Sequence, residues 1–259
     1  MSVNVADIIK IMEEIAPPAM AEDWDNVGLM LGRRCKAVKK LLLALDITGE
    51  VVQQAIAQKA DMIITHHPLI FRGLKRVTDN EWQQELLLTL AEKGIAVYSA
   101  HTNLDCVSSG VNDVLAKKLH LDSVDVLDSD NGLGRIGIVP VCSLHEFAAM
   151  VKKVLRADYV AVGDAGKQVH KVAVCGGAGS DLISLALLCG ADTLVTGDIK
   201  YHEAQQAVFS GLNVIDAGHQ PTELPVMDDL ADRLSQRFAQ RNMNVVVNVA
   251  SETLLLKHI

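Results

Sequence analysis

Apolar residues recur at helical spacing from Val5 to Ile15, with Asp7, Lys10, Glu13 and Glu14 set among them, and Pro17-Pro18 comes directly after. The pattern predicts an amphipathic helix that the prolines close. So charged an N-terminal stretch does not read as a signal peptide. A loop over Glu22–Leu29 comes next. The apolar runs then shorten: Leu41-Leu42-Leu43-Ala44-Leu45-Asp46 and Met62-Ile63-Ile64-Thr65 read as buried strands, with a helix from about Thr48 to Lys59 between them. A helix from about Glu81 to Lys93 leads to a third strand, Ala96–Ser99. Strands alternating with helices predict an α/β fold with a largely parallel sheet.

The plan occurs twice. Lys40-Leu-Leu-Leu-Ala lines up with Lys171-Val-Ala-Val-Cys, and Ala60–Thr65 lines up with Ala191–Thr196, both at an offset of 131 residues. Gly94–Ala100 then matches Gly211–Ala217 at an offset of 117. An ungapped register over two strands and the intervening helix points to internal duplication of a strand–helix–strand–helix–strand unit. The Asp-, Ser- and Gly-rich stretch Ser123–Gly134 is the natural boundary between the halves.

Composition narrows the function classes. With 49% apolar but only 3% aromatic residues, the core must be built from Ala, Leu, Val and Ile. The 259 residues suffice for one large domain or two small ones. A net charge of −8 argues against a broad phosphate-binding surface, and the scarcity of rings argues against base stacking as the main mode of nucleic-acid binding. No apolar run is long enough to suggest a membrane span. The five cysteines, Cys35, Cys106, Cys142, Cys175 and Cys189, form no CxxC pair and read as free buried thiols in a reducing cytoplasm.

The candidate chemistry sits at the carboxyl ends of predicted strands, where open α/β sheets place ligands. Thr65-His66-His67-Pro68 comes after the second strand. His101 and Asp105 come after the third, and His219 and Glu223 after its counterpart in the repeat. Both pairs share a His-x-x-x-carboxylate frame. Two carboxylates facing one another beside several imidazoles repel when ionised, and a divalent cation relieves that repulsion. Such a donor set suits a pair of Zn, Fe, Mn or Co ions. Gly197-Asp198 stands where the repeat would put a second His pair, so one shared metal centre is expected; Asp198, with Lys200, His202 and Glu203, is a candidate for its rim, while Tyr201-His202-Glu203 reads more simply as the first turn of a helix with solvated polar groups. His120, His145, His170 and His258 read as solvated. Gly176-Gly177-Ala178-Gly179-Ser180 lacks dinucleotide spacing and a Walker lysine, so it reads as a tight turn required by the backbone.

These segments carry a resemblance. Trp24-Asp25-Asn26-Val27-Gly28-Leu29, Thr65-His66-His67-Pro68-Leu69, Ala100-His101-Thr102-Asn103-Leu104-Asp105, Thr196-Gly197-Asp198, and Gly218-His219 with Thr222-Glu223 resemble, in order, the GTP cyclohydrolase 1 type 2 homologue family, also called Nif-three-like. The chain is similar to the short bacterial form associated with radiation resistance. The resemblance implies a dinuclear metal site with His66, His67, Asp105, His219 and Glu223 as ligands and His101 as a neighbouring pocket group. It implies two intertwined lobes, residues 1–125 plus 220–259 and residues 126–219, in a homohexameric ring. Gln220-Pro221 departs from the family's usual aromatic and small pair but leaves both flanking ligands in place.

The function expected on these grounds is that of a metal-dependent hydrolase acting on a nucleotide, GTP or a damaged one, through a metal-activated water. His101 or a nearby carboxylate would move protons, and Arg72 and Lys75 would meet a triphosphate. The alternative is a non-enzymatic metal-binding or metal-delivery protein acting through partners. A ring around DNA is disfavoured by the charge.

Overall fold

A computed structural model describes residues 2–256. In chain order its elements are α1 (Val5–Ile15), β1 (Gly28–Leu31), β2 (Lys40–Ala44), α2 (Gly49–Gln58), β3 (Met62–Thr65), α3 (Trp82–Glu92), β4 (Ala96–Ser99), α4 (Thr102–Cys106) and α5 (Val111–Lys118). The chain continues through β5 (Asp122–Val126), β6 (Arg135–Cys142), α6 (Leu144–Leu155), β7 (Ala161–Gly163), β8 (Val169–Ala178), α7 (Ile183–Leu188), β9 (Thr193–Gly197), α8 (Tyr201–Phe209), β10 (Asn213–Asp216), α9 (His219–Glu223), α10 (Pro225–Gln240) and β11 (Val246–Val249). Two compact units result: one runs to Leu104 and resumes over Met227–Thr253, and the other takes Asp105–Val226 and continues after Thr253. His258 lies outside the described residues.

The first unit holds a five-stranded sheet in the order β1-β4-β3-β2-β11. Only β1 runs antiparallel, against β4. Helix α1 begins where Asn4 and Asp7 exchange side-chain-to-backbone hydrogen bonds at 3.0 and 3.1 Å, a capping box. It buries Val5, Ile8, Ile9, Ile11, Met12 and Ile15 and leaves its charges outside. Strand β2 stops at Ala44, short of the predicted Asp46. The amides of Leu45 and Asp46 turn instead to the Glu252 carboxylate, which accepts at 2.6 and 3.1 Å just beyond β11.

The second unit holds six strands in the order β5-β6-β8-β9-β10-β7. Here the expectation of a largely parallel sheet fails. β8–β9–β10 is parallel, but β5–β6, β6–β8 and β7–β10 are antiparallel. The reason is partly local. Only a short loop joins β5 to β6, too little chain for the crossover that a parallel pair needs. The predicted boundary Ser123–Gly134 is therefore built into this sheet, opening within β5. Successive residues of β8 face opposite ways: Val172 and Val174 pack with Leu115, Phe147 and Val151, whereas Ala173 and Cys175 pack with Ile183, Ala186 and Ala207.

The duplication survives at the level of single hydrogen bonds. Leu43 pairs with Ile64 and Val174 with Val195; Met62 pairs with Ala96 and Thr193 with Asn213. Asp61 accepts from the amides of Lys39 and Lys40, and its counterpart Asp192 accepts from those of His170 and Lys171. Each parallel triplet also receives an antiparallel edge strand at the same side, β1 on β4 and β7 on β10. The core is aliphatic, as composition required.

Candidate metal centre

In the first unit the chain leaves β3 directly into His66-His67 and leaves β4 into Ala100-His101. Both strands end at the same side of a parallel pair, so the three imidazoles converge. The His66 and His67 rings lie 5.1 Å apart, and His101 lies 5.1 and 5.6 Å from them. One ring nitrogen from each can be chosen so that all three fall within 4.8 Å of one another, a spacing that could hold a metal ion.

The other ring nitrogens explain the chemistry. Nδ1 of His66 lies 2.9 Å from the Ala100 carbonyl, Nδ1 of His67 2.9 Å from the Asp46 carboxylate, and Nδ1 of His101 2.8 Å from the Asp25 carboxylate. These oxygens only accept, so the proton of each neutral ring sits on Nδ1 and the lone pair on Nε2. Metal-binding histidines show this arrangement, because the outer acceptor fixes the tautomer and strengthens the inner nitrogen as a donor. Burial and the neighbouring His66 hold His101 below the ordinary imidazole value, despite Asp25. Burial would by itself raise the Asp25 carboxyl, but hydrogen bonds from Thr102 and His101 outweigh it and hold that group low.

The second unit carries the rest of the predicted set. His219 opens α9, and its Nδ1 meets Asp198 at 2.8 Å while its Nε2 lies 3.3 Å from Oε2 of Glu223. Glu223 is only 4% exposed. Asp105 is nearly buried at the end of α4; its carbonyl accepts from Asn112, whose side-chain oxygen accepts from the Gly176 amide. Burial pushes the Cys175 thiol well up, and the charges of Asp105 and Glu223 push it further. Both carboxylates therefore act on one neighbourhood.

The glycines of β8 and β9 make room for this helix. A Cβ on Gly177 would overlap Oε1 of Glu223, and one on Gly176 would lie 2.6 Å from Val111 and 3.3 Å from Glu223. Thr222 locks the contact by accepting from the Gly177 amide at 3.0 Å. The Gly176–Gly179 run thus serves backbone and packing. A Cβ on Gly197 would stand 2.5 Å from the His219 amide nitrogen. Gly197 is the counterpart of His66, so the second half has no room for a histidine there. Asp198, the counterpart of His67, adopts φ 56° and supplies the carboxylate behind His219.

Other expectations resolve plainly. Glu203 accepts from the Lys200 amide at 2.8 Å in a capping box at the start of α8, an ordinary helix-end role, while His202 is exposed. His120, His145 and His170 are exposed. Arg72 and Lys75 are exposed on the loop between β3 and α3, and neither forms an ion pair among the described residues. All five cysteines are free; Cys106 and Cys175 are buried, but Cys35 is exposed because it sits in the turn before β2, correcting the reading of uniformly buried thiols. No described helix is long and apolar enough to cross a membrane. Asp46 and Asp25 escaped the sequence reading as partners of His67 and His101. The one available signal was that each lies beside a strand end or inside the Trp24–Leu29 loop.

Residues 3–253 match the Duf34/NIF3 (NGG1p interacting factor 3) family. A Clostridium perfringens protein named GTP cyclohydrolase 1 type 2 homolog is 37% identical, over 90% of this chain and 91% of its own. A Schizosaccharomyces pombe protein NIF3 homolog is 34% identical over 93% of each chain. The crystal structure of a Bacillus cereus protein related to NIF3 superposes over 100% of both chains with a TM-score of 0.94 at 27% identity. With its two mixed sheets, its duplicated parallel triplets and its histidine-rich strand ends, the chain belongs to the Duf34/NIF3 family.

Proposed function

We propose that the protein is a dinuclear metal-dependent hydrolase that acts on a nucleotide, GTP or a damaged form of it, with His66, His67, Asp105, His219 and Glu223 as the metal ligands. One observation carries this reading. Every histidine of the set, and His101 with them, holds its Nδ1 on a carbonyl or carboxylate and so presents Nε2 as the basic nitrogen. Divalent Zn, Fe, Mn or Co bound there supplies Lewis acidity and lowers the pKa of water towards neutrality. The chain's residues do the rest. Asp46 and Asp198 orient His67 and His219. His101, kept neutral by burial and backed by Asp25, takes up and returns the proton. Arg72 and Lys75 offer cations to a phosphate chain. The name GTP cyclohydrolase 1 type 2 homolog carried by the relatives agrees with this substrate class.

The same reading takes the chain as a homohexamer; exposed Leu188, Phe209 and Val141 offer apolar surface for contacts between copies.

Elemental analysis of the purified protein, with assay of that metallated form against GTP and oxidised nucleotides, tests the proposal. His67→Ala should lose metal and hydrolysis together. Full hydrolysis by a metal-free variant would overturn it. A metal-delivery role is the second reading, favoured by the 37% side-chain exposure of His219, which leaves a ligand open to exchange. Rapid metal exchange with no turnover on any nucleotide would select it.

A further inference from the structure

Beside the three histidines stand two rings that the metal chemistry does not use. Trp24 is 60% exposed and Phe71 is 43% exposed, in a chain with only two Trp and four Phe. Isolated exposed apolar residues need no explanation. These two are not isolated. Their centroids lie 6.0 Å apart, edge to face, and they lie 6.2 and 6.4 Å from the His101 ring.

The arrangement is held from both sides by the segment that carries Trp24. Asp25 binds the Nδ1 of His101 and both the amide and the hydroxyl of Thr102, while the Glu22 amide donates to that same hydroxyl. Asn26 donates its side-chain amide to the carbonyl of Ile70, the residue before Phe71. One segment therefore anchors the chain next to Trp24 on the histidine cluster and the chain next to Phe71 on that same segment. The chain beside each ring is clamped, so little backbone freedom remains to be lost when a ligand binds. After Phe71 the chain presents three exposed cations, Arg72, Lys75 and Arg76, before the first acid, Asp79.

We infer that Trp24 and Phe71 form a ring-binding wall, and that the site takes a planar heteroaromatic compound with an anionic tail, its ring held on Trp24. The inference rests on the reading of His66, His67 and His101 as the chemical side of a substrate site. Edge-to-face rings and a neighbouring imidazole suit a flat π-system better than an aliphatic chain. The scarcity of rings in the whole chain argues against a long nucleic-acid track, not against one ring bound at one place.

The test uses the 259-residue chain carrying Trp82→Phe, so that Trp24 is its sole fluorophore of that kind, with guanosine monophosphate, guanosine and ribose 5-phosphate as probes. It is run with and without divalent metal. Guanosine monophosphate and guanosine should quench Trp24 saturably, and ribose 5-phosphate should not. By calorimetry, Trp24→Ala should weaken guanosine monophosphate at least about fivefold, from a stacking term of roughly 1–3 kcal/mol per base. Trp24→Phe should restore most of the affinity, and metal content should not change in either variant. Unchanged binding by Trp24→Ala would overturn the inference. So would equal quenching by ribose 5-phosphate, or Trp24 emission already shielded from acrylamide in the free protein, which would mean that another copy of the chain covers it. Absence of metal from the wild type would defeat the proposed function while leaving ring binding readable in the metal-free arm.

Discussion

The Asp46 carboxylate lies 2.9 Å from Nδ1 of His67, and its own backbone amide is held by Glu252. A carboxylate in that position sets the tautomer of the ring and raises its strength as a donor. Asp46→Ala should therefore weaken metal binding by about 10–100-fold with the fold intact. Competition against a chelator of known affinity, alongside circular dichroism, measures both. Unaltered affinity would mean that Asp46 merely covers the imidazole.

His101 is assigned to proton movement, not to metal binding. His101→Ala should then keep the full metal content and lower kcat by about 10²–10⁴-fold. Loss of one metal equivalent on elemental analysis would make it a ligand instead.

Gly197 carries the packing of the second unit's candidate ligands. Gly197→Ala places a methyl 2.5 Å from the His219 amide nitrogen, between two backbones that have no flexible side chain to yield. It should cost about 1–3 kcal/mol, a fall of several degrees in Tm for a protein of this size. Gly73→Ala, where a Cβ meets nothing within 4 Å, should leave Tm within about one degree. Equal Tm values for the two variants would refute the packing argument.

Tyr98 makes the alkaline limit testable. Its side chain is fully buried in β4, and its hydroxyl has no hydrogen-bond partner among the described residues. Burial, with a smaller push from Glu13, raises the phenol from 10.0 to about 12. The folded state therefore holds this proton more tightly than the unfolded chain does. Its contribution is complete below pH 10 and is lost as pH rises towards 12, by roughly 2–3 kcal/mol in all. Tyr98→Phe should match or slightly exceed the wild type at pH 7, because no polar atom is then buried without a partner. It should also lose less stability between pH 10 and 12. Parallel urea titrations at both ends of that window decide it.

Much of the fold, and the placing of the candidate histidines at strand ends, was legible in the sequence, for a physical reason. A buried parallel strand is a short apolar run with a fixed neighbour, so Lys40–Ala44 and Lys171–Cys175 declare both their burial and their common origin. Candidate site histidines at strand ends are equally visible, because His66, His67, His101 and His219 come close behind those runs. What stayed hidden depends on distance along the chain. Asp25 reaches His101 across 76 residues and Asp46 reaches His67 across 21. No local periodicity encodes such partners. The antiparallel strand β5 was hidden by composition, since it is exposed along its whole length and carries little apolar signal. Asp198 is a rim candidate by sequence alone, but its service to His219 depends on a left-handed backbone that one residue type does not announce.

Glu252 is separated from Asp46 by 206 residues, and it clamps the turn that aims His67. Because synthesis runs from the amino end, the histidine pair exists well before the group that steadies its orienting carboxylate. A nascent chain that has not yet reached Glu252 thus has His66 and His67 without the finished cradle behind them. Full affinity for an ion at His67 should therefore await the emergence and docking of Glu252.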